Sequence, residues 1–145
     1  MTVSVKSPSN GLINQRILVN PKGTEAIYDS MQFSQAVRVG NMVWVSGQVG
    51  MDESFQMGEG IEAQARMAFQ NLERVINEAG GTLADIVEIV TYHTSMNDMH
   101  EFSKVKLEFI PENYPAWTAV GVTELVIPGL LIEIRATAIV KTDNR

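Results

Sequence analysis

A chain of 145 residues and 16.0 kDa falls in the range of one domain of roughly 100–200 residues, and its 45% hydrophobic content suffices for a core of its own. Seventeen acidic against eleven basic residues leave a net charge of −6, with no two basic residues adjacent, so a phosphate backbone is a poor partner. The absence of cysteine excludes disulfides, thiol chemistry and thiolate metal sites.

The opening MTVSVKSPSNGLINQR lacks the apolar centre of an export signal, which gives a cytoplasmic expectation. Nowhere does an apolar run approach the ~18 residues that span a bilayer. The first thirty residues read as irregular apart from a short strand, QRILV (15–19). FSQAVRV, Gly40-Asn41 and MVWVS read as two strands joined by a tight turn whose residues tolerate positive φ. From Gly47 to Gly60 four glycines and no period predict a loop long enough to suspect a role beyond connection.

Ile61, Ala65, Ala68, Leu72, Val75, Ile76 and Ala79 fall on one stripe of an α-helix. Gly80-Gly81 then supplies the left-handed residue at which helices commonly end. IVEIVTYHTSM (86–96) is β-branched and aromatic, a strand. Asp98 and Glu101 have the spacing of a capping box, opening a second helix striped by Met99, Phe102, Val105 and Phe109 and ended near Pro111. Trp117–Leu125 reads as a fifth strand. In the sixth, LLIEIRATAIV (130–140), Ile132, Ile134, Ala136, Ala138 and Val140 face one way and Leu131, Glu133, Arg135 and Thr137 the other.

The result is a single α+β domain over residues 1–145 with a six-stranded sheet, order β-β-β-α-β-α-β-β. Two helices cover only one face of such a sheet. The other face also reads as partly apolar, because Phe33, Val37 and Val39 alternate with Ala36, and Val87 and Ile89 alternate with Ile86 and Val90. A water-facing antiparallel sheet shows cleaner polar alternation, so a second copy of the chain is the expected cover.

Few residues stand out as chemical. His93 and His100 match no metal spacing and are expected in structural or surface roles. Asp52 and Glu53 in the long loop are accounted for by solvation. SGQVG (46–50) is not the GxSxG elbow and has no acid–histidine pair assigned to it. Asn97 precedes a helix, where an N-cap is the ordinary reading. Glu133 is different: a carboxylate between Ile132 and Ile134 is costly if buried unpaired. It is either a surface glutamate paired with Arg135, or a desolvated base in a cleft between subunits; the residues alone leave both open.

VGNMVWVSGQVG, QARMAFQNLERVINEAGGTLADIVEIVTYHT, MNDM, YPAW and IEIRATA, in that order and spacing, resemble the Rid family of reactive-intermediate deaminases, also called YjgF-like proteins. The likeness runs from about Phe33 onward. It implies a chorismate-mutase-like fold with a mixed sheet and two helices on one face, assembled as a homotrimer with a small-molecule cleft at each subunit interface. It further implies hydrolysis of 2-imino acids to 2-keto acids and ammonia, with no cofactor and no metal. On that likeness Glu133 matches the glutamate that handles the attacking water, Asn97 a cleft asparagine, and Ser46 and Gly47 the strand end lining the pocket.

Three departures accompany these matches. A cleft tyrosine is replaced by Phe33, a pocket cysteine by Ala119, and the arginine that grips the substrate carboxylate by Trp117. An indole has one N–H donor and no charge, so it makes no fork–fork pair with a carboxylate. The Trp-Thr-Ala-Val-Gly run is shared with the YjgH-like branch of the family. There Trp117 either narrows the cleft or offers an apolar wall, with core packing at a strand start as the plainer reading. Arg135 and Arg38 are the cations considered as substitutes for the missing anchor. The expectation is a Rid-type hydrolase acting on a small imine or enamine through Glu133. The alternative is a trimer that binds a small ligand without turnover; an endoribonuclease is disfavoured by the acidic charge.

Overall fold

In a computed structural model, which describes residues 2–5 and 15–141, the chain forms seven strands and three helices. The strands are β1 (Thr2–Val5), β2 (Arg16–Val19), β3 (Ala36–Val39), β4 (Met42–Val49), β5 (Ile86–His93), β6 (Ala116–Gly121) and β7 (Ile132–Ile139). The helices are α1 (Glu25–Met31), α2 (Gly60–Glu78) and α3 (Met99–Phe109). One sheet contains all the strands in the order β1-β2-β3-β4-β7-β5-β6. It is mixed: β5 and β6 run parallel, because α3 carries the chain back between them, and the other neighbours are antiparallel.

The six expected strands and two expected helices are all present in the expected order. β1 adds a seventh strand beside β2, and α1 occupies a stretch that reads as irregular. This helix has seven residues and buries none of them, ending at Gln32 with φ 63°. The irregularity expected around Pro8 lies outside the described residues. β4 runs on to Val49, past the point where the sequence suggests a loop. The strands expected to reach Met96 and Leu125 stop at His93 and Gly121, where Val122 N–H donates to the His93 carbonyl at 2.8 Å.

The core lies between the sheet and α2 with α3. Ala65, Ala68, Leu72, Val75 and Ile76 are buried along α2 as the stripe requires. Phe69 joins them, stacked on Phe102 and Phe109 of α3 with ring centroids 5.7 and 5.2 Å apart. α2 ends as the glycine pair dictates. Gly80 takes φ +97° and Gly81 N–H reaches back to the Ile76 carbonyl at 3.0 Å, the bond that closes a Schellman motif. Arg38 Nη1 caps the same end by donating to the Ala79 carbonyl at 2.7 Å.

The capping box expected at Asp98 and Glu101 is not made: Asp98 has helical dihedrals and no side-chain cap bond. A box forms instead at Thr82 and Asp85. Asn97 is no N-cap either, since it sits inside a 3-10 turn and its own N–H donates to Ser95 Oγ at 3.3 Å.

The second sheet face is uncovered among the described residues. Val37, Trp44, Tyr92 and Ile139 lie on it, with Trp44 46% and Ile139 49% exposed. The expected grouping of Val87 with Ile89 does not hold. Register shifts between Ile86 and Glu88, and this bulge turns both Ile86 and Ile89 into the core while Val87 stays exposed.

Phe69 ties α2 to α3 with no exposed surface. Phe69→Ala is expected to cost about 3–5 kcal/mol, read as a lower urea midpoint; a change below about 1 kcal/mol would show that the aromatic stack is not the joint between the helices.

Candidate functional site

Glu133 stands on the open face because its neighbours Ile132 and Ile134 are buried against the helices. The sheet is locally irregular beneath it. Register between β4 and β7 shifts between Val45 and Gln48, so that Ser46 and Gly47 both lie opposite Arg135. This is a β-bulge, a feature that often re-aims side chains beside active sites. The Glu133 carboxylate folds over Gly47. A methyl group at that glycine would sit 2.6 Å from the glutamate Cδ and 2.8 Å from its Cγ, closer than carbon atoms pack. Gly47 is therefore the residue whose missing side chain makes room for the acid.

A pocket of about 490 Å³ opens here, lined by Glu133, Gly47, Ser46 and Phe33 together. Ile27 and Met31 of α1 supply apolar wall. Ser46 Oγ donates to the Ser34 carbonyl at 2.7 Å, which fixes the bulge to the strand entering β3. Beneath lies a buried amide ladder: Gln48 Nε2 donates to Gln35 Oε1 at 2.9 Å, and Gln35 N–H to Asn20 Oδ1 at 2.9 Å. Asn20, Gln35 and Gln48 are all buried, and satisfied buried amides of this kind stiffen a wall.

Glu133 is half-buried, and desolvation pushes its carboxyl above the ordinary carboxylate range. No described residue forms an ion pair with it, and Arg135 points into solvent from the same face. The pairing that would make Glu133 an ordinary surface residue is thus not formed.

Trp117, Ala119 and Asn97 lie elsewhere. β6 is the edge strand beyond β5, and Trp117 and Ala119 pair with Ile89 and Thr91, residues of the helix-covered face. Within one chain Trp117 and Glu133 are therefore on opposite faces of the sheet. Asn97 belongs to the turn Met96–Asp98, where the Met96 side chain packs beside Gly121 at the end of β6.

The indole of Trp117 is held on three sides while remaining 36% exposed. Its Nε1 donates to Thr91 Oγ1 at 2.9 Å, and its rings lie 6.0 Å from Phe102, centroid to centroid. Lys106 Nζ sits 4.6 Å from the indole centroid and 5.4 Å from that of Tyr114, cation–π contacts worth about 0.5–2 kcal/mol. Thr91 Oγ1 also bonds the fully buried His93 Nε2 at 2.7 Å. His93 Nδ1 has no partner among the described residues; burial lowers its pKa, opposed by the charge of Asp98. The only side-chain N–H of Trp117 is spent inward, so the part of the indole left exposed is apolar.

Neither substitute cation suggested by the sequence lies near Trp117: Arg38 is committed to the end of α2 and Arg135 lies on the other sheet face. Sequence reasoning missed the amide ladder, the α1 wall and Lys106. The last was signalled by spacing, since Lys106 follows Phe102 by four residues on one helix and so shares its side. Among the described residues no group of three or more His, Cys, Asp or Glu is placed to hold a metal ion, and no helix is long and apolar enough to cross a membrane.

Comparison with known proteins agrees with this architecture. Residues 23–140 match the family model described as Endoribonuclease L-PSP. The RutC family protein YjgH of Escherichia coli is 38% identical over 126 residues, spanning 86% of this chain and 95% of the relative. The 2-iminobutanoate/2-iminopropanoate deaminase of Dermatophagoides farinae is 35% identical over 113 residues, 77% of this chain and 86% of that one. A solved structure titled Protein YJGH superposes with a TM-score of 0.79 at 35% identity, covering 88% of this chain and 98% of that one.

Because burial raises the folded pKa of Glu133 above the unfolded value of about 4.3, the native state holds its proton more tightly than the unfolded chain. The stabilising contribution is complete below the unfolded pKa and is lost as pH rises through the folded one. Glu133→Gln should therefore gain melting temperature relative to the native chain as pH goes from about 4 to about 7. A difference that stays flat across this range would show that the carboxylate is not desolvated.

Proposed function

The chain belongs to the Rid family, the YjgF-like proteins that the endoribonuclease L-PSP model describes, and from that premise we propose that it is a cytoplasmic hydrolase of small reactive imines or enamines, with Glu133 as the base that activates water in a cleft shared between copies of the chain. The observation that carries this reading is the desolvated Glu133 carboxylate, without an ion-pair partner among the described residues and held over Gly47 in an apolar-walled pocket. Relatives named 2-iminobutanoate/2-iminopropanoate deaminase point to the same chemistry.

Hydrolysis of C=N begins when water adds to the electrophilic carbon, and a base that removes its proton in the same step lowers the barrier. On a protonated C=N, Glu133 takes that proton as the water oxygen bonds to carbon, and the neutral carbinolamine forms. The carboxyl then passes the proton to the nitrogen, the hydroxyl gives its own proton back to the carboxylate as the C–N bond breaks, and ammonia leaves with a ketone behind. A carboxylate whose pKa is raised takes the proton more readily than an ordinary one, and the carboxyl it becomes hands the proton on in the second half. The pocket contributes position, keeping water and the planar carbon in contact.

The faces of the sheet support assembly of copies, for which we propose a homotrimer. Trp117 and Ala119 on one face and Glu133 on the other do not meet within a chain, but a head-to-tail interface brings one copy's edge strand over the next copy's open face. Repeated with closure, such an interface makes a ring, and it also covers the exposed Trp44 and Ile139. The net charge of −6 and the scattered basic residues favour a small ligand over RNA.

Glu133→Gln should lower imine turnover, measured as ammonia and keto-acid release, by about 10²–10⁴-fold with the fold intact. Turnover equal to that of the native chain removes Glu133 from the mechanism. Light scattering should give about three times 16.0 kDa; a mass of one chain removes the shared cleft.

A further inference from the structure

Four cations among the described residues are half-buried: Arg38, Arg66, Arg74 and Lys106. Three of them have oxygen partners. Arg38 donates to the Ala79 and Gly40 carbonyls at 2.7 and 2.8 Å. Arg66 meets both carboxylate oxygens of Glu108 at 2.8 and 2.9 Å, and Arg74 bonds Asn71 Oδ1 at 3.1 Å with Glu53 at 3.7 Å. Lys106 alone has none among the described residues. Its ammonium rests on two ring faces, Trp117 and Tyr114.

An ammonium carries three N–H donors, and ring faces satisfy it only in part. Burial without an anion lowers its pKa, as expected when the charged form gives up water and receives no counter-charge. The lysine is also not free to swing away at no cost, because leaving the two rings forfeits both cation–π contacts. A small anion arriving beside Trp117 would meet a positioned, partly desolvated charge with donors still open.

We propose that Lys106 is the anion anchor of the cleft, gripping the carboxylate of a 2-imino or 2-keto acid from its seat on Trp117 and Tyr114. This rests on the reading above that Trp117 lines the ligand cleft, and it narrows the substrate class to imines that bear a carboxylate. The grip differs from that of an arginine. A guanidinium holds both carboxylate oxygens in a fixed fork, whereas an ammonium is a point charge that one oxygen satisfies. Trp117 then serves as the platform that sets the height of the charge over β6, and Tyr114 closes the other side of the cage.

The test measures binding of 2-oxobutanoate by calorimetry to the native chain, Lys106→Gln and Lys106→Arg, with its neutral amide, 2-oxobutanamide, as control. Lys106→Gln should weaken the keto acid by about ten- to hundredfold, the loss of one hydrogen bond to a charged group. Lys106→Arg should keep most of the affinity, and the amide should bind all three chains alike. With 2-iminobutanoate as substrate, Lys106→Gln should raise KM while kcat changes little. Equal affinity of Lys106→Gln and the native chain for 2-oxobutanoate overturns the assignment, as does a native chain that does not bind it. Lysine-dependent binding by a native chain that turns over no imine would leave this inference standing and defeat the hydrolase. Turnover that depends on Glu133 but not on Lys106 would do the reverse.

Discussion

Ile132, Ile134, Ala136 and Ala138 all point from β7 into the helices, and a strand has only two faces. Glu133 is thereby forced outward, onto a surface whose other members include Val37, Trp44 and Ile139. There it is neither in bulk water nor in the core. A carboxylate in that position keeps its charge at a cost, and the cost appears as the upward shift of its pKa. The bulge at Ser46 and Gly47 decides where the acid rests. With a regular ladder and any side chain at position 47, the carboxylate would be turned away from β4. The placement of this carboxylate depends on two features of the sheet, a strict alternation in β7 and a break in the register of β4.

The same alternation separates the site's parts. Tyr92 pairs with Glu133 and Val120 with Tyr92, so the open face continues across β5 onto β6 through Val120. Trp117 and Ala119 point the other way. Rotamer changes move a side chain about its own Cβ and do not carry it through a sheet. The chemistry proposed for Glu133 and the indole therefore needs a contact between copies, and the uncovered apolar face provides the driving force for one.

Regular patterns were the legible part of the sequence. The α2 stripe, its glycine stop, the Gly40 turn and the alternation of β7 each repeat over many residues, and burial follows them closely. What escaped were single-residue irregularities. The extra residue at Val87 moves Ile86 and Ile89 onto the same face, and no local preference marks where a ladder slips. α1 has only Ile27 and Met31 as an i, i+4 apolar pair, and seven residues are too few to form a helix without tertiary support. Asp98 and Glu101 have box spacing, yet the preceding 3-10 turn leaves Asp98 in a helical conformation, unlike the extended conformation of a true cap. Glu133 stood out because a charge between two isoleucines breaks a pattern. Lys106 did not, because a lysine on an amphipathic helix ordinarily faces water, and only the fold brings Tyr114 and Trp117 beneath it.

Exchanging arginine for tryptophan at a ligand-facing position removes charge and fork geometry together, but the two losses are separable. The anchor proposed at Lys106 would restore the charge from a neighbouring helix. The fork is not restored, since an ammonium fixes the distance to a carboxylate and leaves its rotation free. Orientation of the C=N plane toward Glu133 then has to come from walls. The indole is suited to that role because its one donor is tied to Thr91 and its rings lie against Phe102, so tilting to follow a ligand would give up both contacts. A cleft built this way discriminates by the thickness and flatness of what slides between its surfaces, and less by the bite of a bidentate pair. Tryptophan at this place is thus compatible with imine chemistry, provided that shape supplies the alignment that the guanidinium no longer does.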